Sequence, residues 1–98
     1  MTYRLDIKVS AQTDVLKGFD YYETKQEGLG RRFLDCWEAS VESLKHNPLL
    51  FQKKHKDFRQ LLIKPYPYHI IYEVEDDLIT VYKVIYAGRH PRKRYTKK

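Results

Sequence analysis

The stretch from residue 58 to residue 94 constrains the fold more than any other part of this chain. It contains three short runs rich in leucine, isoleucine, valine and tyrosine, at residues 58–63, 69–75 and 78–86. Lys-Pro-Tyr-Pro-Tyr separates the first two runs and Glu-Asp-Asp the last two. Such runs with turn-forming residues between them indicate strands joined by tight turns. The sequence therefore predicts a three-stranded antiparallel meander, followed by a basic tail from about residue 89.

The residues before the meander predict a strand and then a helix. Apolar and charged residues alternate from Tyr3 to Val9, which is the period of two of a strand with one buried face. Ser10 is the expected N-cap of a first helix over about residues 11–27.

Two glycines, Gly28 and Gly30, are expected to end the first helix and turn the chain. A second helix then begins near residue 29 and ends at Asn47-Pro48, because the residue before a proline is pushed out of the helical region. Its apolar stripe comprises Phe33, Trp37, Val41 and Leu44. The two helices are thus expected to form an antiparallel hairpin that covers one face of the sheet.

The predicted fold class is α+β, in the order β-α-α-β-β-β with a mostly antiparallel four-stranded sheet. The last strand has aliphatic residues in both phases, so we expect a central position for it. A chain of 98 residues provides one domain, here residues 1–98. The 42% apolar and 33% charged residues exclude a disordered chain, and no apolar run approaches the ~20 residues of a membrane span.

The cellular compartment follows from the start of the chain and from its cysteine content. Charged residues interrupt the first ten positions, so the start does not resemble a signal peptide. The lone Cys36 has no partner for an internal disulfide, which agrees with a reducing compartment. We therefore expect a cytoplasmic protein without a membrane partner.

The net charge of +6 is unevenly distributed. Residues 1–50 carry seven basic and eight acidic residues, whereas residues 51–98 carry twelve and five. The positive half predicts an anionic partner, either nucleic acid or an acidic protein, although solubility alone would also account for it.

An electropositive, tyrosine-rich surface is the main functional signal of the residues themselves. Six of the nine tyrosines follow residue 65, among basic residues that can neutralise phosphates, while a tyrosine ring can stack on an unpaired base. Tyrosine is also simply a good strand former, and we assign Tyr68 and Tyr72 to that role. Tyr86 and Tyr95 stay functional candidates. The expected RNA contacts are Lys53, Lys54, Lys64, Lys83 and Arg92.

Two arginines are further candidates, whereas metal and cofactor signatures are missing. Arg89 follows the last strand next to Gly88, where its guanidinium could hold a phosphate bidentately. Strand alternation would let Arg59 point across the open face of the sheet. No phosphate-binding glycine loop, metal-ligand spacing or nucleophile elbow occurs, so we expect no metal and no cofactor.

The order of these elements and the amino-acid sequence of the meander resemble those of the RelE/ParE superfamily of bacterial type II toxins. The resemblance covers essentially the whole chain. It is carried by Ser10 to Asp14, the pair Tyr21-Tyr22, Phe33, Asn47-Pro48, Arg59, the stretch Tyr66-Pro67-Tyr68 with Ile71 to Val74, and the stretch Val84 to Pro91. It implies a toxin that a cognate antitoxin keeps inactive in a hetero-oligomer, by wrapping the helical hairpin and the sheet.

The resemblance implies one of two targets. RelE-like members cut messenger RNA at the ribosome without a metal, and ParE-like members poison DNA gyrase. The Tyr-Pro-Tyr turn, the position of Arg59 and the Arg-His-Pro tail favour the ParE-like branch.

The RelE pattern can be carried over only in part. Arg89 matches the tail-side arginine of that pattern and Tyr95 its terminal tyrosine, and Tyr86 stands where a subgroup has a histidine. Two lysines and an arginine of the pattern are replaced, and the residues at those positions are Gln60, Leu62 and His69. Each missing cation would remove transition-state stabilisation.

As a hypothesis, His69 or His90 could serve as a general base, because histidine titrates near neutral pH. A third alternative, a non-toxic nucleic-acid-binding domain on this fold, stays open beside the two toxin activities.

Overall fold

The computed structural model describes residues 3–87. The chain forms strand β1 (Arg4–Ile7), helix α1 (Val9–Lys25), helix α2 (Leu29–His46) and a single 3-10 turn (Pro48–Leu50). Four strands follow: β2 (Lys53–His55), β3 (Phe58–Leu62), β4 (Tyr68–Glu75) and β5 (Leu78–Tyr86). The predicted α+β architecture is confirmed, and the basic tail lies outside the described residues.

The five strands form one mixed sheet in the order β1-β5-β4-β3-β2. The meander is antiparallel, while β1 pairs with β5 in parallel. β5 lies between β1 and β4, as its aliphatic residues in both phases predicted. The sheet has one strand more than predicted, because Lys53–His55, expected as a connector, pairs along the edge of β3.

The boundary between β1 and α1 differs from the sequence prediction. The helix begins two residues early, at Val9, whose side chain is 76% exposed rather than part of a buried strand face. Ser10 is therefore inside the first turn and is not the N-cap. Its hydroxyl donates instead to the carbonyl of Tyr82 in β5, at 2.6 Å. Tertiary contact with the sheet thus replaces the local cap that the sequence suggested.

The helical hairpin is held by two reciprocal glycine–phenylalanine contacts. A Cβ on Gly18 of α1 would lie 2.7 Å from the ring of Phe33, and a Cβ on Gly30 of α2 would lie 2.7 Å from the ring of Phe19. Each helix therefore approaches the other where it has no side chain. Glu23 of α1 accepts hydrogen bonds from the backbone N–H groups of Gly28 and Gly30, so it caps the start of α2.

The core lies between the helices and one face of the sheet. It is built around a set of buried side chains that includes Ala11, Val15, Phe33, Leu44, Ile63, Ile70, Tyr72, Ile79, Val81 and Val84. The other face of the sheet, here called the open face, has a smaller buried cluster of Phe58, Ile71 and Ile85, against which Tyr82 packs.

Tyr72 ties the middle of the sheet to the turn after α2. Its ring is fully buried and its hydroxyl donates to the carbonyl of Pro48 at 2.7 Å. Burial raises the pKa of Tyr72 to about 12. Since an unfolded tyrosine releases its proton near pH ~10, the unfolded state binds fewer protons between pH 10 and 12. Stability is therefore expected to fall as the pH rises through this range.

The alkaline loss of stability at Tyr72 can be tested by urea unfolding at pH 7 and pH 11. Two pKa units correspond to about 2–3 kcal/mol at most, part of which appears at pH 11. Tyr72→Phe should cost about 1–2 kcal/mol at pH 7, through the lost hydrogen bond, and should show a smaller further loss at pH 11. Tyr21→Phe, at an exposed ring, is the matched control. An equal alkaline loss in wild type and Tyr72→Phe would contradict this account.

Candidate functional site

The clearest concave site lies between α1 and the end of β5. This cleft, here called the α1–β5 cleft, has a volume of about 210 Å³. Its α1 side is formed by Asp14, Lys17, Gly18 and Tyr21, and its sheet side by Tyr68, Val84, Ile85 and Tyr86.

The cleft exists because β5 is longer than β1. The parallel pairing of the two strands ends at Ile7 and Val81. Beyond that point α1 takes over the edge of β5, through the hydroxyl of Ser10 and the carboxylate of Asp14, whose Oδ2 accepts from the N–H of Val84 at 3.0 Å. The segment from Ser10 to Asp14 thus fixes the position of α1 against the sheet.

An aromatic cluster supports the cleft from the core side. Tyr22 lies with its ring centroid 5.5 Å from Phe33, 4.8 Å from Tyr66 and 6.2 Å from Tyr68. Burial, as the largest cause, raises the pKa of Tyr22 to about 12. The two adjacent tyrosines therefore have different positions: Tyr22 packs against the core, and Tyr21 lines the cleft.

Two half-exposed tyrosines line the cleft. Tyr21 is 51% exposed and Tyr86 is 49% exposed. The ammonium group of Lys25 lies 5.0 Å from the centroid of the Tyr21 ring, and Lys17 contributes a second cation to the same side. Tyr86 was a candidate from the sequence, whereas Tyr21 was missed. The two adjacent tyrosines, Tyr21 and Tyr22, were the sequence feature that could have indicated it.

The described members of the predicted catalytic set do not converge on one point. Arg59 pairs in register with Tyr72, so its side chain is on the helix-covered face, and its Nη1 donates to the carbonyl of Phe51 at 2.6 Å. The prediction that Arg59 points across the open face is wrong. His69 pairs with Ile85 and lies on the open face. Tyr86 lies on the helix side, its ring centroid 5.8 Å from that of Tyr68.

Four predicted site residues fall outside the described residues. They are Arg89, His90, Arg92 and Tyr95. The chain enters this region from Ala87, whose N–H donates to the carbonyl of Pro67.

The basic candidates lie at different places on the sheet. Lys53 forms an ion pair with Asp57 at 3.2 Å, in a groove that it shares with Glu73 and Glu75. Lys54 is exposed on the edge strand β2. Lys64 follows β3 at the opposite end of the sheet, and Lys83 is half-buried on the open face. The acidic residues of the second half of the chain gather at the end marked by the β4–β5 turn: Asp57, Glu73, Glu75, Asp76 and Asp77.

A second feature is an apolar surface on the helical hairpin. A groove of about 260 Å³ is lined by Ile7, Val15, Leu16 and Trp37 with Gln12. Leu16 is 62% exposed, and Val9 is exposed two turns away on the same helix. Trp37 is half-buried at the edge of the core. We call this the hairpin groove.

Within residues 3–87, no group of three or more histidine, cysteine, aspartate or glutamate side chains is arranged to hold a metal ion. Neither helix of this part of the chain has the length and apolar character required to span a bilayer.

The fold is that of RelE-like toxins. The structure of a chromosomal ParDE toxin–antitoxin system from P. aeruginosa matches with a TM-score of 0.69 and 16% identity, over 89% of this chain and 98% of that one. The RelBE2 toxin–antitoxin complex from Mycobacterium tuberculosis matches with a TM-score of 0.63 and 14% identity, over 88% and 99% of the two chains.

The family follows from the sequence match. A model described as the ParE toxin of the type II toxin-antitoxin system parDE matches residues 5–91. The chain therefore belongs to the ParE toxin family of type II toxin–antitoxin systems. Toxin ParE2 of Mycobacterium tuberculosis is 23% identical over 92 residues, which cover 93% of this chain and 88% of that protein.

Proposed function

We propose that this toxin inhibits bacterial growth by binding DNA gyrase rather than by cutting messenger RNA. The supporting observation is the separation of Arg59, His69 and Tyr86 over two faces of the sheet. Metal-free RNA cleavage needs a base, an acid and cations around one phosphate. The described residues do not supply that arrangement, whereas binding to a protein target does not require it.

Inducible expression in bacteria, alone and with the adjacent small gene, tests this proposal. We expect growth arrest with intact messages, filamentation and induction of the DNA-damage response, and recovery when the neighbouring gene is co-expressed. Arrest with fragmented messages that Arg89→Ala abolishes would overturn the gyrase proposal and would establish the ribonuclease. Absence of arrest would favour a non-toxic domain on this fold.

We further infer that a cognate antitoxin docks on the hairpin groove. The groove offers Leu16 and Trp37, and apolar and aromatic side chains of this kind form the centres of protein interfaces. The net positive charge of residues 51–98 favours an acidic segment in the same partner. The inactive state is then a toxin–antitoxin hetero-oligomer in the cytoplasm.

A further inference from the structure

We propose that the α1–β5 cleft binds one unpaired nucleotide of a single-stranded nucleic acid, with the base at Tyr21 and Tyr86 and the phosphate at Lys17. The cleft shares no lining residue with the hairpin groove, and the proposal does not depend on which target the toxin has. RNA and single-stranded DNA share the chemistry it would recognise, a planar base and an adjacent phosphate.

The two tyrosine rings at the cleft are half-exposed. Tyr21 and Tyr86 each leave about half of their surface exposed, and both line the cleft. They come from different elements, α1 and β5, so a planar group that enters the cleft can contact either ring. A volume of about 210 Å³ accommodates a single nucleobase.

Positive charge lies beside the Tyr21 ring. Lys17 lines the cleft, and the ammonium group of Lys25 lies 5.0 Å from the Tyr21 ring. Aromatic rings with flanking cations are the arrangement by which proteins bind single strands, since the ring stacks on the base and the cations neutralise the backbone. An arginine side chain of a partner protein would be repelled by the same two cations.

The carboxylate of Asp14 lines the cleft and can contact the edge of a bound base. Asp14 uses Oδ2 to accept the N–H of Val84, and Oδ1 accepts no hydrogen bond from the residues that the structure describes. A carboxylate oxygen accepts a hydrogen bond from an amino group but cannot form one with a carbonyl oxygen. Cytosine has an N4 amino group where uracil has O4. The cleft should therefore prefer cytosine to uracil.

Fluorescence titrations of the purified full-length chain with labelled hexacytidylate and hexauridylate test the site. We expect the cytosine strand to bind about tenfold more tightly, and Tyr21→Ala to weaken its binding about tenfold. Tyr21→Phe keeps the stacking surface and should stay within about twofold of the wild type. Because Tyr21 is half-exposed, its replacement leaves the fold intact, which a thermal melt verifies.

Two further variants test the base preference and the phosphate contact separately. Asp14→Asn retains an acceptor for Val84 but introduces a donor, so the preference for cytosine over uracil should disappear. Lys17→Ala should reduce the slope of log affinity against log salt by about 0.7, for one phosphate contact to a single strand. Lys45→Ala, which removes the same charge at the far end of α2, should leave the slope unchanged.

The outcomes are decisive in both directions. Equal affinity of Tyr21→Ala and wild type for both strands would overturn the proposal, as would an unchanged base preference in Asp14→Asn. Weaker capture of the co-expressed antitoxin by Tyr21→Ala, with unchanged oligonucleotide binding, would instead make the cleft part of a protein interface. Comparing the affinities of the ribose and deoxyribose versions of the two strands then shows whether the cleft binds RNA or single-stranded DNA.

Discussion

Replacing Phe33 with alanine is expected to lower the free energy of unfolding by about 3–5 kcal/mol, the range for deleting a buried phenylalanine ring. Phe33 has no solvent-exposed surface, and its ring centroid lies 5.3 Å from those of both Tyr66 and Tyr68. It also fills the space above Gly18, where α1 comes closest to α2. One side chain thus joins the hairpin to the turn before β4.

Thermal and urea unfolding measure the effect of Phe33→Ala. A loss of this size should lower the melting temperature by at least about 12 °C in a domain of this length. Phe33→Leu fills most of the space and should cost less than about 1.5 kcal/mol, so it keeps the prediction testable if the alanine variant does not fold. Leu50→Ala, at a side chain that is 65% exposed, should stay within about 0.5 kcal/mol. A loss below 1 kcal/mol for Phe33→Ala would show that the aromatic cluster does not stabilise the hairpin.

The second large effect is expected at the hairpin groove. Leu16→Glu should weaken binding of the antitoxin by about 2–4 kcal/mol, roughly 30- to 1,000-fold, because a carboxylate would be desolvated against Trp37 and Ile7. The fold should be unaffected, since Leu16 is 62% exposed and the substitution lies on the solvent side of α1. In cells the variant should arrest growth even when the antitoxin is co-expressed.

Titration of the antitoxin onto each variant by calorimetry, with a thermal melt of the variant alone, gives the measurement. Leu50→Glu provides the matched control, because it introduces the same charge at an equally exposed leucine outside the hairpin groove, in the 3-10 turn after α2. If the antitoxin fully neutralises the Leu16→Glu toxin but fails to neutralise the Leu50→Glu toxin, it docks at the 3-10 turn and not on the hairpin groove.

Several features of the site were accessible from the sequence, and others were not. Tyr86 was a candidate because it lies among basic residues near the tail, whereas Tyr21 entered only through the resemblance, in the doublet Tyr21-Tyr22, and was missed as a site residue. The cleft itself could not be found, because it arises from the difference in length between β1 and β5 and from the contact of Asp14 with Val84, some 70 residues apart in the sequence. The face on which Arg59 lies was mispredicted because it, too, depends on pairing between separate segments of the chain. Alternation gives two faces, but only the pairing of β3 with β4 decides which one the helices cover.

By itself, the sequence determined the order of the elements, the ends of α2 and the central position of β5. These rest on local physics: Gly28 adopts a positive φ of 92° that few other residues tolerate, a proline follows Asn47, and aliphatic residues fill both phases of β5. Tertiary structure alone decided the fifth strand, the start of α1 and the division of the tyrosines between core and cleft. Each of these depends on hydrogen bonds or packing between distant segments, and their free energy outweighs the weak local preferences of a cap, a connector or a helix stripe.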